Sequence, residues 1–169
     1  MNALLRQARA EDAHAIGVVT VDAWRGAYRG IVPGQFLAAM TAEGQVEHFS
    51  RQAGGGEGWM VEEDGQIVGF VSFGPPREER DEEPGAGEVW VLMVRTAAQR
   101  RGHGRTLLTQ AAERLAARGY GTGLLWVLEA YRAGRRFYEA MGWRADGERK
   151  LLRLGPADVP ALRYRRPLP

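Results

Sequence analysis

At 169 residues the chain fits one domain, residues 1–169, and buries about 70% of its unfolded surface without needing a covalent staple. It has no cysteine, which excludes disulfides, thiolate metal sites and a cysteine nucleophile, and His14, His48 and His103 show no ligand spacing, so no metal is expected. With a formal charge of +2 and no run near the ~18 apolar residues of a membrane span, the composition reads as a soluble cytoplasmic protein without a membrane partner.

Leu4 to Arg9 alternates loosely, as a short first strand. Ala10-Glu11-Asp12 opens a helical pattern in which Ile16, Val19, Ala23 and Ala27 share a face. Pro33 begins a second helix carrying Phe36, Leu37 and Met40. Thr41 and Gly44 mark a break before a polar helix that runs to about Gln52, and Gly54-Gly55-Gly56 closes the helical block. Trp59–Glu63 and Gln66–Phe73 read as strands joined by Asp64-Gly65, a type I′ hairpin signal. Pro75 to Gly87 holds five acids and two arginines and is expected to be a solvated loop. Glu88–Val94 is an apolar central strand, and Leu107, Leu108, Ala111 and Leu115 define one face of a helix over Gly102–Arg118. Leu124–Leu128 is another buried strand, Ala133–Met141 a helix ended by Gly142, and Trp143–Arg149 and Ala161–Arg166 the closing strands. The fold class is mixed α/β, an antiparallel hairpin followed by a β-α-β-α-β half.

The most informative stretch is the turn Gln99-Arg100-Arg101-Gly102-His103-Gly104, between a central strand and a helix. Helix N-termini carry unpaired N–H groups and partial positive charge, and glycines let the backbone approach an anion closely. Of the 23 basic residues 22 are arginine, and Arg95, Arg100, Arg101 and Arg105 cluster here; arginine forks suit phosphate. The turn is too short for a P-loop, and Arg105-Thr106 stands where that motif has lysine and serine or threonine. A third glycine and distal acid are missing as well, which disfavours a dinucleotide site. Taken alone, the turn supports either an anion site or a glycine-softened junction with no ligand.

The run Val94-Arg95-Thr96-Ala97-Ala98-Gln99-Arg100-Arg101-Gly102-His103-Gly104-Arg105-Thr106-Leu107-Leu108 resembles motif A of the GNAT superfamily of acetyl-CoA-dependent N-acetyltransferases. Leu125-Trp126-Val127-Leu128-Glu129 with Arg135-Arg136-Phe137-Tyr138-Glu139-Ala140-Met141-Gly142-Trp143 is similar to motif B. Ala23-Trp24-Arg25-Gly26-Ala27-Tyr28-Arg29-Gly30 and Leu162-Arg163-Tyr164-Arg165-Arg166-Pro167-Leu168 resemble the first helix and last strand of one small GNAT subgroup. The resemblance implies a mostly antiparallel sheet splayed at its fourth strand and flanked by helices. It also implies acetyl-CoA held by Leu92, Met93, Val94, Gln99, Arg100, Arg101, Gly102, His103, Gly104, Arg105, Tyr131, Gly134, Arg135 and Tyr138. Three positions depart from the pattern: Thr96 for a common proline, Tyr131 for an asparagine that touches the pantetheine arm, and Gly134 for an alanine.

The family reaction is direct attack of a neutral amine on the thioester, with no acyl-enzyme. Such chemistry needs a proton acceptor for the amine, a donor for the carbonyl oxygen and an acid for the leaving thiolate. The resemblance assigns the acid to Tyr138, which by position alone could be a core aromatic paired with Phe137. It assigns the carbonyl donor to the main chain of Met93 or Val94. Glu88, expected to share a face with Trp90 and Leu92, is the candidate base, with Glu129 or water as rivals; a solvated strand-end carboxylate is the bland alternative. Trp24 and Tyr28, four residues apart, line an acceptor pocket together with Trp90, or else pack in the core. The expected acceptor is a small-molecule amine. A protein N-terminal or lysine acetyltransferase and a non-catalytic coenzyme A-binding module are the alternatives. Dispersed arginines and the lack of a binding module argue against nucleic acid, and the family habit leaves a homodimer open.

Overall fold

The structure, a computed structural model, describes residues 3–52 and 54–169. Its strands are β1 (Ala3–Gln7), β2 (Glu57–Glu63), β3 (Gln66–Gly74), β4 (Ala86–Val94), β5 (Thr122–Leu128), β6 (Arg144–Leu154) and β7 (Ala157–Pro167). Its helices are α1 (Ala13–Ala27), α2 (Gly34–Ala39), α3 (Ala42–Gln52), α4 (His103–Ala117) and α5 (Arg132–Ala140). The strands form one seven-stranded sheet in the order β1-β2-β3-β4-β5-β7-β6. Every pairing is antiparallel except β4 with β5.

Local chemistry accounts for most boundaries. Asp64 and Gly65 both take positive φ (50° and 79°), as a type I′ turn requires. Thr41 Oγ1 accepts from the Gly44 N–H at 3.1 Å, so Thr41 caps α3 and the helix runs through Gly44 rather than starting after it. Gly142 is the left-handed residue after α5.

Two cores sandwich the sheet. One face packs Val71, Phe73, Val89, Leu125 and Val127 against Leu107, Leu108, Ala111 and Leu115 of α4, with Phe137 and Tyr138 of α5 at its margin. The other face meets α1 and α2, through Ile16 against Met60 and Phe70 and through Leu37 and Met40 against Leu128, Val159 and Ala161.

The acidic stretch 75–87 is not the solvated loop its composition suggests. Asp81 is 1% exposed and accepts from Trp126 Nε1 at 2.7 Å and from Arg163 Nη1 at 2.8 Å. Arg80 pairs with Glu148, Glu78 with Lys150, and Glu83 with Arg165. The opposite charges lie 68 to 82 residues away on β6 and β7, so a local reading of the charge run could not see them. The loop is a strap across β5, β7 and β6.

Candidate active site

The β4–β5 contact decides the shape of the site. These parallel strands pair only where Ala86, Gly87 and Glu88 meet Thr122, Gly123 and Leu124. Beyond Glu88, among the described residues, no strand pairs with that edge of β4, while β5 continues along β7 as far as Leu128 against Ala161. The two strands therefore splay into a V. A cavity of about 470 Å³ fills it, with Val89 to Met93 on one side, Leu125, Trp126 and Leu128 on the other, and Tyr138 of α5 at its inner end. The free edge of β4 from Leu92 to Val94 borders a slot into which an extended, amide-bearing chain could add as a strand. Trp24 of α1 and Tyr28 at its C-cap, Arg77 and Glu78 of the strap, and Lys150, Leu152 and Arg153 of β6 enclose its wider end.

At the far end of β4, the chain turns through residues 95–102 into α4. Gln99 Nε2 donates to Val94 O at 3.2 Å, tying the turn to the strand end. Arg100 and Gly102 take positive φ (62° and 90°), and Gly102 caps α4 with no side-chain acceptor on the first-turn N–H groups. The helix thus starts without a side-chain cap at an exposed glycine, as an anion site needs. A Cβ at Gly104 would meet Phe137 Cζ at 3.4 Å, so α4 packs closely on α5 beside the turn. The side chains of Arg101 and His103 are not aimed at an anion: Arg101 bonds Glu63 and Ala97 O, and His103 is buried beside Glu63. Any role of these two residues toward phosphate falls to their main chain. Arg135, also expected at the cofactor, instead donates to Tyr164 Oη and Glu129 O, bracing α5 on the sheet.

Tyr138 is half-buried, and burial, reinforced by the Tyr28 and Tyr131 phenols, pushes its pKa well above the usual phenol range. It stays a protonated donor at neutral pH. Tyr131 stacks edge-on to Tyr28 with ring centroids 5.2 Å apart, and Tyr28 does the same to Trp24 at 4.9 Å. A methyl group at Gly134 would overlap Cδ1 and Cε1 of Tyr131, so the two departures in motif B are one coupled change.

Glu88 is 2% exposed, not a solvated strand end. Of the two face-mates expected for it, Trp90 is one and Leu92 is not. Phe73 pairs with Val89 and Ser72 with Val91, which leaves Trp90 as the extra residue of a β-bulge. The bulge keeps Glu88 on the face of Trp90, whose ring covers its cross-strand partner Gly74, and adds Val91 and Met93 to that face, while Leu92 turns to the opposite one. Its carboxylate accepts from the Arg77 N–H at 2.8 Å and Arg77 Nη2 at 3.1 Å, so Arg77 stands between it and the cavity. Burial raises its pKa, and Arg77 opposes the rise. Trp90 covers Gly74 and Gly56 and donates to Pro75 O at 2.9 Å, forming a side wall. Glu129, the rival base, pairs with Arg149 at the rim.

The sequence profile of the Acetyltransferase (GNAT) family matches residues 22–143, which span the V, the turn and α5. The chain belongs to the GNAT family of acetyltransferases. An uncharacterized N-acetyltransferase of Bacillus subtilis, YuaI, is 34% identical over 125 residues, covering 74% of this chain and 71% of that one. The PaiA N-acetyltransferase of Thermoplasma acidophilum, solved in complex with coenzyme A, superposes with a TM-score of 0.76 at 17% identity, covering 99% of each chain. YncA of Salmonella typhimurium, solved with acetyl-CoA, gives 0.72 at 18% identity, over 100% of this chain and 95% of that one.

Within this GNAT acetyltransferase, four residues that the sequence did not single out, Trp126, Lys150, Arg80 and Asp81, gather at the wider end of the cavity. Trp126 lines the cavity, with Lys150 Nζ 4.2 Å and the Arg80 guanidinium 5.2 Å from its ring centre. Asp81 fixes the indole from behind. Lys150, the one lysine in the chain, is the sole clue the sequence carried. No described helix of the enzyme is long and apolar enough to cross a membrane.

Proposed function

We propose that this GNAT enzyme transfers the acetyl group of acetyl-CoA directly to a primary amine of a small molecule. Acetyl-CoA supplies an activated thioester. The main chain of Leu92, Met93 and Val94 would pair with the pantetheine amides, and the N–H groups of residues 100–105 would hold the pyrophosphate. Tyr138, kept protonated by burial, donates to the departing sulfur. Glu88 takes the amine proton through water that passes Arg77. Trp24, Tyr28 and Trp126 frame the acceptor.

The small-molecule reading is carried by the strap. Ion pairs to β6 and β7 hold residues 75–87 over the sheet, and Arg77 and Glu78 wall the acceptor end opposite Trp24 and Tyr28. An extended peptide needs an open groove there. Coenzyme A release measured across small amines and N-terminal or lysine peptides tests this. Turnover of small amines alone is expected; preferential turnover of peptides refutes the acceptor class, and cofactor binding without release on any acceptor refutes the catalytic reading.

A further inference from the structure

Glu63 belongs to no step of the proposed reaction, yet it is a buried carboxylate behind the cofactor turn. It ends β2 at the hairpin, 9% exposed, and pairs in register with Gln66. One oxygen accepts from Arg101 Nη1 at 3.0 Å. The other lies 3.6 Å from His103 Nε2, an atom that is buried and has no hydrogen-bond partner among the described residues. Arg101 Nη2 donates in addition to Ala97 O at 2.9 Å, closing the turn on itself. Of the side chains flanking Gly102, Arg101 thus bonds and His103 adjoins one carboxylate on β2.

This arrangement has a geometric consequence. Residues 100–104 contain two positive-φ positions, Gly102, which takes it freely, and Arg100, a non-glycine residue that needs outside restraint to hold it. With Arg101 and His103 both held at Glu63 of β2, the Gly102 main chain between them is left exposed. An anion-binding concavity of main-chain donors works by such fixed orientation.

We propose that Glu63 is a positioning residue for the acetyl-CoA pyrophosphate turn, acting through Arg101 and His103 and touching no substrate itself. The inference rests on the reading of residues 100–105 as the pyrophosphate site. Glu63→Ala should weaken coenzyme A binding about tenfold or more in calorimetry, the equivalent of one charge-assisted hydrogen bond. KM for acetyl-CoA should rise in parallel, while kcat and the acceptor KM at saturating acetyl-CoA stay within about twofold. A role confined to global stability would lower the melting temperature without that split. Arg101→Ala should also weaken binding, and the double variant should be no worse than Glu63→Ala alone. If Glu63→Ala does not fold, Glu63→Gln keeps volume and one acceptor and should shift coenzyme A affinity in the same direction by a smaller factor.

Wild-type coenzyme A affinity in a folded Glu63 variant, or strictly additive losses in the double variant, would overturn the proposal. Gly104→Glu separates this from the parent reading, since it places a carboxylate at the turn without touching Glu63. If Gly104→Glu binds coenzyme A normally, the turn is not the site. If it fails to bind while the Glu63 variant binds as wild type, only the role of Glu63 is lost.

Discussion

Replacing Asp81 by alanine tests whether the acidic strap is structure or surface. The carboxylate is 1% exposed and serves two donors, Trp126 Nε1 and Arg163 Nη1. Its removal leaves a buried indole N–H without its acceptor and takes one of two partners from Arg163. Arg163 keeps Asp146 at 2.8 Å, so the buried charge is not stranded. Breaking a buried ion pair costs about 3–5 kcal/mol, and the surviving Asp146 contact places Asp81→Ala near the lower limit, about 3 kcal/mol. For a domain of this length that corresponds to a melting shift of about 6–12 °C. Urea denaturation and thermal melts measure it. The same change frees Trp126 at the acceptor end, so the acceptor KM should rise while KM for acetyl-CoA stays unchanged. A loss below about 1 kcal/mol, the range of exposed ion pairs, would refute the reasoning and return residues 75–87 to solvated loop.

Tyr138→Phe removes the proposed donor to sulfur and should lower kcat about 100-fold with coenzyme A affinity within twofold, read by thiol release and calorimetry. For Glu88 the sign is set by burial, which raises its pKa above the ordinary carboxylate range. Activity that needs ionised Glu88 should therefore fall on the acid side at a pH above that range, and Glu88→Gln should remove this limb and lower kcat/KM. Wild-type kcat/KM and an unchanged profile in Glu88→Gln would end that assignment. Gly134→Ala should cost about 1–3 kcal/mol in urea because the new methyl overlaps the Tyr131 ring. Tyr131→Asn in the same chain should recover most of that loss.

What could be read in advance follows the range of the interactions. The helices and strands announced themselves through periodicity, and Asp64-Gly65, Gly102 and Gly142 through backbone conformations that few residues tolerate. The cofactor turn was legible because its donors are contiguous main-chain groups. The acceptor end was not, since it is assembled by pairs such as Asp81 with Arg163 and Glu78 with Lys150, which no local pattern records. Leu92 was misplaced relative to Glu88 for a related reason: strict alternation fails at Trp90, where one extra residue puts Leu92 on the opposite face. Arg101 and His103 looked like phosphate ligands because proximity in sequence says nothing about where a side chain finds its partner.

The departures from the family pattern look like losses one at a time, and each has an answering residue elsewhere. Thr96 replaces a common proline, and its N–H, which proline lacks, donates to Asp22 Oδ2 of α1 at 2.7 Å. Gly26, one turn further along α1, leaves the space that Thr96 fills, because a Cβ there would collide with Thr96 Oγ1. Tyr131 replaces a polar contact to the cofactor arm, and Gly134 vacates the volume its ring needs while Tyr28 receives its edge. Both changes tie the cofactor side of the V to α1, the helix that carries Trp24 and Tyr28. One joins the strand-to-helix turn to the middle of α1, and the other joins the start of α5 to its end. The proposed acceptor wall and the proposed cofactor slot are thereby held as one unit. Restoring a single family residue should thus do harm unless its partner is restored with it.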